Sequence, residues 1–274
     1  MRANLLVFLV CTLLFTMTGV VVFAQQEQPV FTLMHSFPIQ AGSAVSTDRN
    51  GNIYLLDQKR NIVQLDSLGK LINVFSPPVR GRIATIDAWN PMKILAFYQD
   101  RQQLLLLDRF MRPISSTTLS EFDFSGTVRA AALSSDDGFW LFNETDFSLN
   151  KLSTQLRKIT SDTPLNLILD KDRFDVRMIR EYQNMVYMLD YNGGIYVFDN
   201  LGNYKKKLLH QGLSYIGFRN NELYFVKDNK LHFLNLYTTK LTTSDLPEGN
   251  YSHALISGNQ LFLFTSKNGH LYKW

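Results

Sequence analysis

Short apolar runs, alternating with polar positions and broken by Asn, Asp, Gly and Ser, fill this chain from residue 30 to its end. One run recurs at intervals of about 40 residues. It reads Asn52-Ile53-Tyr54-Leu55-Leu56-Asp57 and returns as Gly138-Phe139-Trp140-Leu141-Phe142-Asn143 and Met185-Val186-Tyr187-Met188-Leu189-Asp190. It appears again as Glu222-Leu223-Tyr224-Phe225-Val226-Lys227 and Gln260-Leu261-Phe262-Leu263-Phe264-Thr265, with a weaker copy at Lys93-Ile94-Leu95-Ala96-Phe97-Tyr98. Period-two alternation between turn formers predicts strands. No segment keeps a helical period with caps, which excludes a helical solenoid. A repeat of this length made of short strands predicts the blades of a β-propeller.

Each unit divides into four strands. In the first they fall near 44–48, 53–56, 61–65 and 70–75. Later inner strands begin near Ala84, Val128, Asp175, Leu213 and Ser252, at spacings of 40, 44, 47, 38 and 39 residues from Ala44 onward. Turns such as Ser67-Leu68-Gly69 and Asn200-Leu201-Gly202-Asn203 carry the Gly that a positive φ requires. The fourth strands, near 70–75, 113–119, 156–160, 204–210 and 240–246, are rich in Lys, Thr and Ser. Lysine on a free outer edge discourages pairing with other chains, so Lys205-Lys206-Lys207 reads as a protected edge. The last unit has only three strands, at 252–257, 260–264 and 270–274. The run 30–37 has no blade of its own. Pairing it with the last unit closes a ring of six blades, and its alternation predicts Phe31 and Leu33 facing inward. The aromatics at one repeat position, Tyr54, Trp140, Tyr187, Tyr224 and Phe262, read as packing between blades. Trp274 is expected in the seam.

The segment Asp48-Arg49-Asn50-Gly51-Asn52-Ile53-Tyr54-Leu55-Leu56-Asp57, followed by Ile62-Val63-Gln64-Leu65-Asp66 and Leu68-Gly69-Lys70, resembles one NHL-type propeller repeat. Residues 184–204 match the same pattern. The likeness extends over 30–274 and fades in the second and third units. It implies an all-β, six-bladed propeller of the NHL-like or TolB-like kind. That superfamily contains binding scaffolds, lactonases and lyases, so the resemblance implies a fold and a range of functions.

The N-terminus adds a destination. Arg2 precedes an apolar run over 5–23, which ends at Ala24 before Gln25-Gln26-Glu27-Gln28. This is the layout of a signal peptide at 1–24, leaving a single propeller domain over 25–274. The run is also long enough for an uncleaved membrane anchor, which is the alternative. Cys11, the only cysteine, lies inside it, so the mature chain would have neither disulfide nor thiolate. The net charge of +4 is spread along the chain with no basic stripe interleaved with aromatics, so nucleic acid is not an expected partner. Export to the periplasm or outer membrane of a Gram-negative bacterium fits these features.

Chemistry is harder to find. Propeller ligands sit at the ends of the central channel, and the polar residues near the inner strands there are Asp87, Arg129, Arg177, Tyr215 and His253. Trp89, at a loop edge outside the aromatic stripe, is the aromatic most available to a ligand. His35, His253 and His270 map to the closing blade but to three different strands, with no spacing that converges on a metal. A lactonase-like site would need acids around the channel; Asp48, Asp87, Asp136 and Glu181 do not occupy equivalent positions. G-x-S-x-G and phosphate-loop patterns are absent. No catalytic residue, metal or cofactor is therefore expected. The favoured function is a non-catalytic scaffold that binds an envelope protein or surface polymer through one propeller face. The alternative is a channel-centred small-molecule hydrolase or lyase. Exported protein should begin near Gln25, and its intact mass checks this: a mass that retains 1–24 would establish the anchor instead.

Overall fold

The second strands of the blades, such as Ile53–Leu56 and Ile94–Tyr98, are too apolar to face solvent on either side, and the architecture covers both sides. The computed structural model describes residues 30–274. The expected signal peptide or anchor at 1–24 lies outside them. The described chain forms six four-stranded antiparallel sheets. Five are built in chain order, from inner strand to outer. Their inner strands are Val45–Thr47, Ile83–Asp87, Val128–Leu133, Val176–Tyr182 and Gly217–Arg219. The sixth has the spatial order His253–Ser257, Gln260–Phe264, Asn268–Lys273 and then Thr32–Pro38 from the other end of the chain. The ring is a six-bladed β-propeller. Only two short 3-10 turns, Gln99–Arg101 and Leu119–Phe122, interrupt it.

Burial falls from channel to rim. The second strand of blade one, Ile53–Leu56, is buried along its whole length, whereas the fourth strand, Leu71–Phe75, is mostly exposed. Tyr204–Leu208, which carries the lysine run, is likewise an exposed edge. The repeat aromatics Tyr54, Trp140, Tyr187, Tyr224 and Phe262 are all buried between blades. Two expected boundaries move. The outer strand of blade three is Lys158–Pro164, because Arg157 at φ 51° completes the preceding turn. Blade five begins its inner strand at Gly217, and Leu213 to Ile216 form an extended approach outside the sheet.

A common turn explains the Asp at the ends of many strands. Asp48 Oδ1 accepts the backbone N–H groups of Asn50 and Asn52 at 2.8 and 2.9 Å. Asp57, Asp66, Asp108 and Asp199 repeat the arrangement with the residues two and four positions on. The carboxylate thus replaces missing ladder partners at each hairpin. Burial alone would raise the Asp199 pKa. Hydrogen bonds from the Asn203 and Lys205 side chains and from two backbone amides outweigh it and hold the group well below the usual carboxylate range. Gly69, at φ +76°, closes one such turn, and a Cβ there would meet the His35 ring at 2.7 Å.

The closing strand pairs Thr32 with Lys273 and Pro38 with Asn268. Phe31 packs inward as expected, stacking on Trp274 at 6.1 Å, whereas Leu33, expected on the same face, is 53% exposed on this outer strand. A bulge follows Leu33, and beyond it Phe37 packs edge-on against Phe262 at 6.5 Å. Trp274 also stacks on Phe233 of blade five, so it fills the seam between the last two blades. Removing 25–38 strips both Phe31 and Phe37 from the core, at about 1.5–3 kcal/mol each. That truncation should melt roughly 10 °C lower or aggregate, against little change on removing 25–29, as read by thermal denaturation. A truncated protein that melts like the full mature chain would refute closure as a source of stability.

Candidate functional site

All six inner strands begin at one mouth of the channel, here the lower, and end at the upper mouth. A cavity of about 280 Å³ opens at the upper mouth, where the inner strands of blades two, three and four end. Its walls include Asp87, Trp89, Ser134, Glu181 and Tyr182. A shallower basin of about 410 Å³ adjoins it over blades one, five and six, and Arg49 and Trp89 border both. A smaller cavity of about 130 Å³ lies at the lower mouth and is bordered by Arg177, Arg180, Tyr215 and His253.

A buried ion pair separates the two mouths. Arg180 Nη1 lies 3.4 Å from Asp87 Oδ1, and both side chains are nearly inaccessible. Arg180 Nη2 donates to Ser46 Oγ at 3.3 Å, and that oxygen also accepts the Ala88 N–H at 3.1 Å. Asp87 accepts the backbone N–H groups of Leu133 at 3.0 Å and Trp89 at 3.3 Å. One carboxylate therefore holds blades two, three and four together at the axis. Arg180 Nε is buried without a partner among the described residues.

Glu181, next in sequence, points the other way. Its Oε2 accepts Trp140 Nε1 at 2.6 Å and Ser134 Oγ at 3.0 Å. Its Oε1 is buried with no partner among the described residues, although Glu181 borders the upper cavity. Beside it, Trp89 meets Tyr182 edge to face at 5.3 Å, and Tyr182 stacks on Phe218 at 4.7 Å. The wall thus combines a flat aromatic surface with an acceptor in search of a donor.

The six residues predicted from sequence divide three ways. Asp87 and Trp89 lie at the upper cavity. Arg177, Tyr215 and His253 border the lower one. Arg129 borders neither; it donates to Asp175 Oδ1 at 2.6 Å and to Val176 O at 3.0 Å, and so ties blade three to blade four. Arg177 holds the other oxygen of Asp175 through Nε and Nη2, donates to Ser214 Oγ at 3.1 Å, and lies over the Tyr191 ring. Burial raises the Asp175 pKa, but the two arginines outweigh it and the net shift is downward. Burial pushes the Tyr215 hydroxyl up to about 12. Burial, with Arg177 nearby, pushes His253 down to about 4. Its Nδ1 lies 2.6 Å from Ser252 Oγ.

Arg180 is the residue that sequence reasoning missed, and Glu181 entered it only among acids that do not occupy equivalent positions. Residues three apart on a regular strand face opposite sides, yet Arg177 and Arg180 border one cavity. A bulge between Val176 and Met178 resets the phase. Matching bulges at the starts of the inner strands of blades two and three fall at Ala84 and Arg129. The available signal was two adjacent charges inside an otherwise apolar inner strand. The acids considered for a cation do not converge. Asp48 is used by its turn, Asn52 Nδ2 and Tyr54 Oη, and Asp136 pairs with Lys151 at 2.8 Å on the outside. Among the described residues, no group of three or more His, Cys, Asp or Glu is placed to hold a metal ion. No helix of the described residues is long and apolar enough to cross a membrane.

No family model matches the chain, and no curated protein matches it in sequence. Solved structures match in fold. A streptogramin B lyase structure is 13% identical with a TM-score of 0.61, covering 88% of this chain and 97% of that one. A catalytically inactive virginiamycin B lyase from Staphylococcus aureus, with quinupristin, is 12% identical at 0.60, covering 88% and 99%. The WD40 domain of Neurospora crassa Pan2 is 10% identical at 0.59, covering 89% and 95%. At these identities the likeness shows the propeller fold alone, shared by a lyase and a WD40 domain.

Two outcomes follow from the ionisable groups. Arg180→Met should destabilise by about 3–5 kcal/mol in urea unfolding, since it strands a buried carboxylate; adding Asp87→Asn should restore much of the loss. Burial pushes the His253 pKa in the folded protein down to about 4, from the ordinary 6.5. The unfolded chain therefore binds more protons between these values, and stability should fall as pH drops through that window. His253→Gln should flatten that part of the stability–pH curve.

Proposed function

We propose that this chain is an exported, non-catalytic binding propeller, and that its working surface is the upper mouth. The observation that carries the reading is the partnerless, buried Oε1 of Glu181 at a cavity walled by Trp89 and Tyr182. Ligand sites are concave and largely apolar, with a few polar groups that fix orientation. The cavity has that composition, and the adjoining basin extends the surface across the top of the ring. An envelope protein or a surface polymer, offering a flat apolar group with a hydrogen-bond donor, fits such a surface.

The commitments of the channel groups support binding over turnover. Asp87 is held by Arg180 and two amides, and Glu181 Oε2 by Trp140 and Ser134. Asp87 is not a free base, and the Glu181 oxygen beside the Ser134 hydroxyl is already shared with Trp140 Nε1. The periplasmic or outer-membrane location belongs to this same proposal and rests on the leader-like N-terminus.

A photo-reactive residue at Gln183, on the rim of the upper cavity, tests the reading in intact cells. It should give a discrete adduct, and the same label at Lys206 on the outer edge should give none. Trp89→Ala should weaken capture by about tenfold or more, the size of one lost aromatic anchor. Equal labelling from both positions would overturn the upper-mouth assignment. Turnover of a lactone or ester panel that His253→Ala abolishes would replace the binding module with an enzyme.

A further inference from the structure

The cavity at the lower mouth has a lining of one chemical kind. Its charged members are Arg177 and Arg180, and neither Asp nor Glu borders it. The carboxylates that balance these arginines, Asp175 and Asp87, lie outside the lining and hold the guanidinium groups in place. Asp175 is shared with Arg129, which also lies 3.7 Å from Glu144. Donors remain. Arg180 Nε has no acceptor among the described residues. Tyr215 offers a phenolic O–H, and burial pushes its pKa up to about 12. Burial pushes His253 down to about 4, so its ring is neutral and adds no charge of its own. Ser214, which accepts from Arg177, retains its own proton to donate.

The lining also holds the apolar side chains of Val45, Ile86 and Met178, beside the hydroxyl residues Ser43 and Thr85. The volume of about 130 Å³ is that of roughly four waters, at about 30 Å³ each. We infer that the lower mouth binds a small aliphatic carboxylate, its head group on Arg177, Arg180 and Tyr215 and its short tail against Ile86 and Met178. Guanidinium groups fixed in advance favour a planar carboxylate, since little side-chain freedom is lost on binding. An ammonium group would face two guanidinium groups and no carboxylate here. Inorganic phosphate finds donors but leaves the apolar wall uncovered.

This site is at the opposite end of the channel from the proposed binding face, so the two can fail independently. The test is a titration of the full mature chain followed by methyl resonances of Ile86, Met178 and Ile179. Sodium butyrate should shift Ile86 and Met178 saturably. n-Butylamine should not, and phosphate should bind more weakly than butyrate. Arg177→Gln should weaken butyrate by about tenfold or more, as for a lost charge-assisted hydrogen bond, with unchanged melting. Tyr215→Phe supplies the same readout should Arg177→Gln fail to fold, and Trp89→Ala should leave butyrate affinity unchanged. The inference is overturned by absent shifts, by equal shifts from butyrate and butylamine, by tighter binding of phosphate, or by unaltered affinity in both lower-mouth variants.

Discussion

Each blade of this protein is apolar on both faces, so no blade can stand alone, and that constraint organises the rest. The seam residues show it directly. Tyr54, Leu56 and Ile62 of blade one share a cluster with Ile86, Ile94 and Leu107 of blade two. Leu141 and Leu152 of blade three share another with Leu95 and Leu106 of blade two. A linear stack of such sheets would leave two apolar faces in water. A closed ring leaves none, and the final seam is completed by a strand from the other end of the chain. The repeat aromatics, the exposed outer edges and the Asp-capped turns are then consequences of curvature around one axis.

The axis itself is the exception to that apolar logic. The pair of Arg180 and Asp87 puts two ions where water is largely excluded, and such pairs seldom add net stability over apolar packing. What the pair does is mechanical. Asp87 also takes the Leu133 amide, and Arg180 takes Ser46, so blades one to four are tied across the hole by directional bonds. The pair also blocks the channel, making two chemically different mouths out of one passage. The upper mouth presents aromatics and an unpaired carboxylate oxygen; the lower presents guanidinium and hydroxyl donors.

The fold was legible because its signal is local and repeated. A run such as Asn52 to Asp57 encodes a strand and its turn in six positions, and five further copies vote for the same period. The closing strand was legible by counting, since three strands at one end lacked a fourth and one strand at the other lacked a blade. Side-chain facing was not legible where a bulge inserts a residue. Arg177 sits at such a break, and nothing in its neighbours' hydropathy marks it. The site suffered most, because it is built from inner-strand residues of several blades whose relative phase depends on those bulges. Arg129 fits the sequence criteria for a channel residue as well as Arg177 does, yet the packing of Phe174 and Asp175 turns it into a tie between blades.

The shared sixth blade has a kinetic meaning as well. Ser36 on the closing strand bonds His270, 234 residues further on, so the sixth sheet is assembled from segments far apart in sequence. Blades one to five can form as each is completed, because their pairings are between neighbours in sequence. The strand Thr32–Pro38 has no sheet partner until Asn268–Lys273 has been made. Such long-range pairing is slow and leaves edges unpaired in the meantime. The ring therefore stays open, with blade one's face uncovered, until the strands over residues 253–273 are in place to close it.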